Sequence, residues 1–134
     1  MLEYIKYQNE ILAIILRKDF SKKGANFFTT LDDSFQFGVL QYDKGKSILA
    51  HKHIRAKREI DMVCEALFIQ SGKVEVTFYD DNDKKIVTKI MNAGDTILLK
   101  KGGHGFKLLE DSKIIEIKQG PYLGKETDKK YLER

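Results

Sequence analysis

Short apolar runs of period two, cut by turn residues roughly every eight to twelve positions, constrain this chain more than any other feature. Val74, Val76 and Phe78 alternate with Glu75 and Thr77, and Phe35, Phe37 and Val39 alternate with Gln36 and Gly38. Alternation puts every second side chain on one face of a strand. Further runs at Ile11–Leu16, Ile48–His53, Ala66–Ile69, Ile86–Met91, Ile97–Leu99, Phe106–Leu109 and Ile114–Ile117 also read as strands. The breaks between them are rich in glycine, aspartate and asparagine: Asp43-Lys44-Gly45-Lys46, Asp80-Asp81-Asn82-Asp83 and Asn92-Ala93-Gly94-Asp95. Gln70-Ser71-Gly72-Lys73 has the composition of a hairpin loop. Gly120-Pro121 marks the end of the sheet, because proline cannot donate to a ladder. Residues 1–8 carry no clear signal. The pattern predicts an all-β sandwich or barrel. The charged tail from Lys125 is expected to be a short helix or disordered.

A chain of 134 residues fits one domain. Its net charge of +4 comes from 24 basic and 20 acidic residues, interspersed as in KREID and DDNDKK. A nucleic-acid surface needs its lysines and arginines clustered, so no nucleic-acid partner is expected. Cys64 is the single cysteine, and an internal disulfide is impossible; a reducing, cytoplasmic setting is expected. Ile11–Leu16 is too short to span a membrane, and no membrane partner is expected. The apolar segment from Tyr4 to Leu16 would expose a sheet edge if unpaired, which predicts a homodimer.

Chemistry concentrates between Gly45 and Gly72 and around Gly102–Gly105. On a strand, His51 and His53 point the same way and Lys52 points away. Glu65 opens the next apolar run, and His104 follows two glycines. Two imidazoles, a carboxylate and a third imidazole suit a divalent transition metal such as zinc, iron, manganese or nickel. Arg55, two residues beyond His53, shares its face if the strand continues, and could clamp a carboxylate or phosphate. Glu116 sits among Ile114, Ile115 and Ile117; periodicity leaves it either lining a cavity or paired. Cys64 alternates away from Glu65 and reads as a buried structural thiol. The acidic run at Asp80–Asp83 lacks the glycine and the distal glutamate of a calcium loop. Gly102-Gly103 could present backbone N–H groups to an anion.

Gly45-x5-His51-x-His53 followed by Glu65-x6-Gly72 resembles the first motif of the cupin superfamily. Gly94-Asp95, a short apolar strand and Gly102-Gly103-His104 resemble the second. The likeness covers Gly45 to about Phe106. It implies a single-domain cupin jelly-roll barrel over residues 1–124, with 125–134 as a tail. It also implies a metal held by His51, His53, Glu65 and His104. Eleven residues separate His53 from Glu65, more than the motif has, so the insert must loop out or Glu59 must be the acid. The run KQGPYLGKETDKKYL is similar to small cupins associated with bacterial polysaccharide and nucleotide-sugar biosynthesis. That likeness implies a sugar or sugar nucleotide as ligand and an isomerase or epimerase moving a proton through His51 or His53, with Arg55 and Glu116 on the substrate. A cupin that binds its ligand without turnover and a metal-dependent dioxygenase are the other two readings.

Overall fold

A computed structural model describes residues 1–132. The chain gathers into two compact units, Met1–Phe20 with Val63–Arg134, and Ser21–Met62.

Among the described residues, the first unit holds eight strands in two antiparallel sheets. β1 (Leu2–Tyr7), β2 (Glu10–Leu16), β8 (Thr96–Leu99), β5 (Glu65–Ser71) and β10 (Lys113–Lys118) form one sheet, in that order. β7 (Lys85–Asn92), β6 (Lys73–Tyr79) and β9 (Gly103–Leu108) form the other. The alternation explains how they pack. Val74, Val76 and Phe78 of β6 turn to one side and meet Leu67, Ile69, Ile97, Leu99, Ala13 and Ile15 of the larger sheet. Register carries that face across each sheet: Glu116 lies opposite Leu67, and His104 opposite Phe78. Buried aliphatic side chains of this kind contribute about 1.5–3 kcal/mol each.

The Asp80–Asp83 turn joins β6 to β7 as read from the sequence. Asp80 accepts hydrogen bonds from the N–H groups of Asn82 and Lys84 at 2.8 and 3.0 Å. The Gln70–Lys73 turn behaves otherwise. β5 and β6 do not pair; the chain changes sheets there. Gly72 takes φ +94°, and a Cβ at that position would lie 2.2 Å from Ser112 Oγ. The hairpin expectation fails because a distant loop packs against the corner. The segment Tyr4–Leu16 is paired within the chain, β1 on β2 and β2 on β8, so only β1 is an edge.

The second unit is built on a hairpin of β3 (Gly24–Phe27) and β4 (Gly38–Gln41). Phe28 and Phe37 extend it with an edge-to-face ring pair at 5.9 Å. Gln36 donates to the carbonyls of Thr30 and Asp33 and so ties the loop. Residues 43–62 contain no strand. The predicted strand Ile48–His53 is therefore absent: its alternation is present, but its backbone joins no ladder among the described residues.

The all-β class is observed. Among the described residues, none of the three sheets closes into a barrel. The tail forms one short helix, α1 (Lys125–Asp128), and residues 133 and 134 of the predicted tail lie outside the described residues.

Candidate functional site

β5 begins with Glu65, and strand alternation sends its side chain the same way as Leu67 and Ile69. β9 approaches from the other sheet with His104 on its inner face. The two meet: His104 Nε2 lies 2.6 Å from Glu65 Oε1. Both are largely buried, at 28% and 15% side-chain exposure. The hydrogen bond from His104 is the main reason the Glu65 carboxyl falls to about 2. Burial pushes it the other way, and a hydrogen bond with Glu116 adds to the lowering.

Glu116 comes from β10, two residues along the ladder from the pair Lys118–Glu65. Its carboxyl is raised, first by the hydrogen bond to Glu65 and then by burial. Lys118 Nζ stands 4.0 Å from Glu116 Oε2. It also lies 5.5 Å from the centre of the Tyr122 ring. The His104 and Phe106 rings are 5.5 Å apart. The result is an ionised carboxylate, a second carboxyl bonded to it, an imidazole and an ammonium beside an aromatic ring.

Gly102 lets β9 start here. It has φ +73°, and a Cβ would lie 2.3 Å from the Tyr79 carbonyl oxygen. This close approach is a packing role. His104 is thus the second residue of a strand, whereas the sequence pattern begins that strand only at Phe106. Cys64 is buried, and its thiol donates to the Lys100 carbonyl at 3.7 Å, in keeping with a structural thiol.

The remaining predicted residues lie in the second unit. His51 and His53 sit in the irregular segment with ring centres 5.6 Å apart, and His51 Nδ1 is 2.7 Å from the Leu49 carbonyl. Arg55 is exposed. Glu59 pairs with Lys57 at 3.4 Å, so the acid that meets His104 is Glu65. Among the described residues, no three His, Cys, Asp or Glu side chains are gathered as a metal would need. Glu65 and His104 by themselves supply two donors of suitable type, half of the expected set.

Lys118 and Phe106 were not singled out in the sequence. Lys118 had a usable signal, since it stands two residues from Glu116 and shares its strand face. Phe106 stands in the same relation to His104.

The class the structure defines is an all-β protein with a carboxylate–imidazole cluster between two sheets. No family model, curated protein or solved structure matches the chain. Among the described residues, no helix is long and apolar enough to cross a membrane.

Proposed function

We propose that this is a metal-binding protein of the cupin kind that acts on a sugar or sugar nucleotide. Glu65 and His104 hold a divalent transition ion, with His51 and His53 in the other two ligand positions. The observation that carries this reading is the meeting of Glu65 with His104. A carboxylate kept ionised far below neutral pH, next to an imidazole, is a pair of metal donors.

Two further features favour a carbohydrate. A pyranose offers hydroxyls on its rim and a C–H face. Glu116 and Lys118 can bind the hydroxyls, and the part-exposed Phe106 ring can take the C–H face. A bound ion polarises a carbonyl as Lewis acid. A histidine released from the ion would regain the ring nitrogen needed to move a proton on the adjacent carbon, and His51 or His53 takes that part. Arg55 carries the charge to bind a phosphate. The reaction class is therefore an isomerisation or epimerisation, in a homodimer.

The test is the metal content of protein purified without added metal, then titration of the stripped protein with zinc or manganese. One ion per chain is expected, with binding lost in Glu65→Ala and His104→Ala. No binding at micromolar metal rejects the ion. With metal bound, a keto-sugar in deuterated water should take up deuterium, and His51→Ala should abolish it. Metal binding without exchange of any tested keto-sugar would instead favour a ligand-binding role without turnover.

A further inference from the structure

Among the described residues, the first unit has four sheet edges: β1 and β10 on the larger sheet, β7 and β9 on the smaller. Exposed edges are hazards that proteins blunt with lysines and bulges. β1 carries Lys6 and a register shift at Ile5/Lys6. β10 has a lysine at each end and a shift at Lys113/Ile114. β7 carries Lys85 and Lys89, with a shift in its pairing at Phe78/Tyr79. β9 differs. It runs in unbroken register with β6 for six residues, contains Gly103 and Gly105, and has Lys107 as its one lysine, with Leu132 of the tail beside Gly103 at its start. A Cβ at Gly105 would meet nothing within 4 Å, so the strand is also open on that face. Phe106 and Leu108, on the His104 face, are both exposed.

The chain also carries a strand-like segment that joins no ladder. Residues 46–53 have strand composition and follow Gly45, at φ +93°. Leu49 and Ile54 are 86% and 87% exposed, and Ile48 is more than half exposed. Residues 46–58 hold Lys46, Lys52, Arg55, Lys57 and Arg58, and no acid. The cluster beside β9 presents Glu65 and Glu116.

We propose that residues 46–53 of one chain add as a strand to the free edge of β9 in a second copy. The incoming strand pairs the unguarded backbone of β9 by main-chain hydrogen bonds, the usual basis of strand addition. Its alternation places His51 and His53 on one face, and that face goes toward His104. The cationic stretch settles against Glu65 and Glu116. Each chain owns one donor segment and one acceptor edge, so two copies exchange reciprocally and close a twofold dimer. This inference rests on the proposed function for the role of the histidines, because it makes the metal-binding group composite: Glu65 and His104 from one protomer, His51 and His53 from the other.

Two measurements test it separately. Light scattering at micromolar protein should give a dimer, and Leu49→Pro should give a monomer with unchanged far-ultraviolet circular dichroism, because proline blocks the ladder. A monomeric wild type, or a Leu49→Pro protein that stays dimeric, overturns strand addition. For the composite site, chains carrying His51→Ala/His53→Ala and chains carrying Glu65→Ala/His104→Ala are co-expressed with different tags. Each variant alone should bind no zinc. The purified heterodimer should regain about half the wild-type zinc, because one of its two sites is whole. A heterodimer without zinc, beside a wild type that binds it, overturns the composite site and leaves the metal reading intact. A dimer that Leu49→Pro dissociates, but that binds no zinc, supports strand addition and removes the metal reading.

Discussion

Charge sits at two sides of the sandwich, and the two sites are built to different rules. At the β1–β7 side, Arg17 donates from Nε to Glu3 at 2.5 Å and from Nη1 to Asp95 at 3.0 Å and to the Ile90 carbonyl at 2.6 Å. Lys89 adds a second cation 3.5 Å from Glu3. Asp95, buried, also accepts from the N–H groups of Lys18 and Asn92. There, each carboxylate is answered by a cation, and Asp95 by backbone donors as well. At the β5–β9–β10 side, Glu65 faces one imidazole and a second carboxyl. Two acids placed together work against folding, and such arrangements cluster where chemistry is done. The first site holds the fold throughout; in the second, the Glu65–His104 pair stabilises it while the Glu65–Glu116 pair works against it.

The largest expected effect lies at the satisfied site. Asp95→Ala removes three hydrogen bonds and leaves Arg17 short of a partner, with donors stranded in a buried corner. A loss of about 3 kcal/mol is expected in urea unfolding followed by circular dichroism. A loss below about 1 kcal/mol would show that water replaces the carboxylate and that the corner is not structural. Arg17→Met comes next, at about 2 kcal/mol, since the arginine is a fifth exposed and Lys89 still answers Glu3.

The third effect is on pH dependence, and it belongs to the other site. The Glu65 carboxyl is lowered from 4.5 to about 2 by His104. Above pH 4.5 both folded and unfolded chains are ionised there, and the stabilisation is fully present. Below it, the unfolded chain takes up a proton that the folded chain refuses, so stability is lost as pH falls toward 2. The loss is on the order of 2 kcal/mol. Urea midpoints between pH 6 and pH 3 should fall more steeply for wild type than for Glu65→Gln. Parallel curves would mean that His104 does not hold the carboxylate.

How far this contrast was legible in the sequence depends on the reach of each interaction. The β6–β7 hairpin was legible, because Val74–Tyr79, the Asp80–Asp83 turn and Ile86–Met91 are contiguous. Glu65 and His104 stood out by residue type and by the glycines around them. Glu116 did not resolve, since isoleucines on both faces of β10 hide which way it points. The Arg17 lattice was missed altogether: its partners lie 14 and 78 residues away, and no local pattern records that. Gly72 misled for the same reason, as the loop at Ser112 makes it a corner. Ile48–His53 misled in the opposite sense. Local alternation gives a strand its faces, but a strand also needs a neighbour, and sequence periodicity does not say where that neighbour is.

Glu116→Gln sharpens the contrast with the smallest change. The wild-type carboxyl is raised by its bond to Glu65, so its contribution runs against that of Glu65: it favours the fold at low pH and is lost as pH rises through the raised value. A glutamine keeps the size, removes one negative charge and still donates an N–H to Glu65. Stability at pH 7 should therefore stay within about 0.5 kcal/mol of wild type, with any change in the favourable direction. The stability curve above pH 4.5 should then lose the opposing slope of Glu116, while Glu65 still sets the curve below it. Sugar binding should weaken only modestly in calorimetry, because a neutral amide oxygen replaces a carboxylate oxygen as acceptor for a hydroxyl. A destabilisation above about 1.5 kcal/mol would place Glu116 in the same structural class as Asp95, and the two sides of the sandwich would no longer differ in kind.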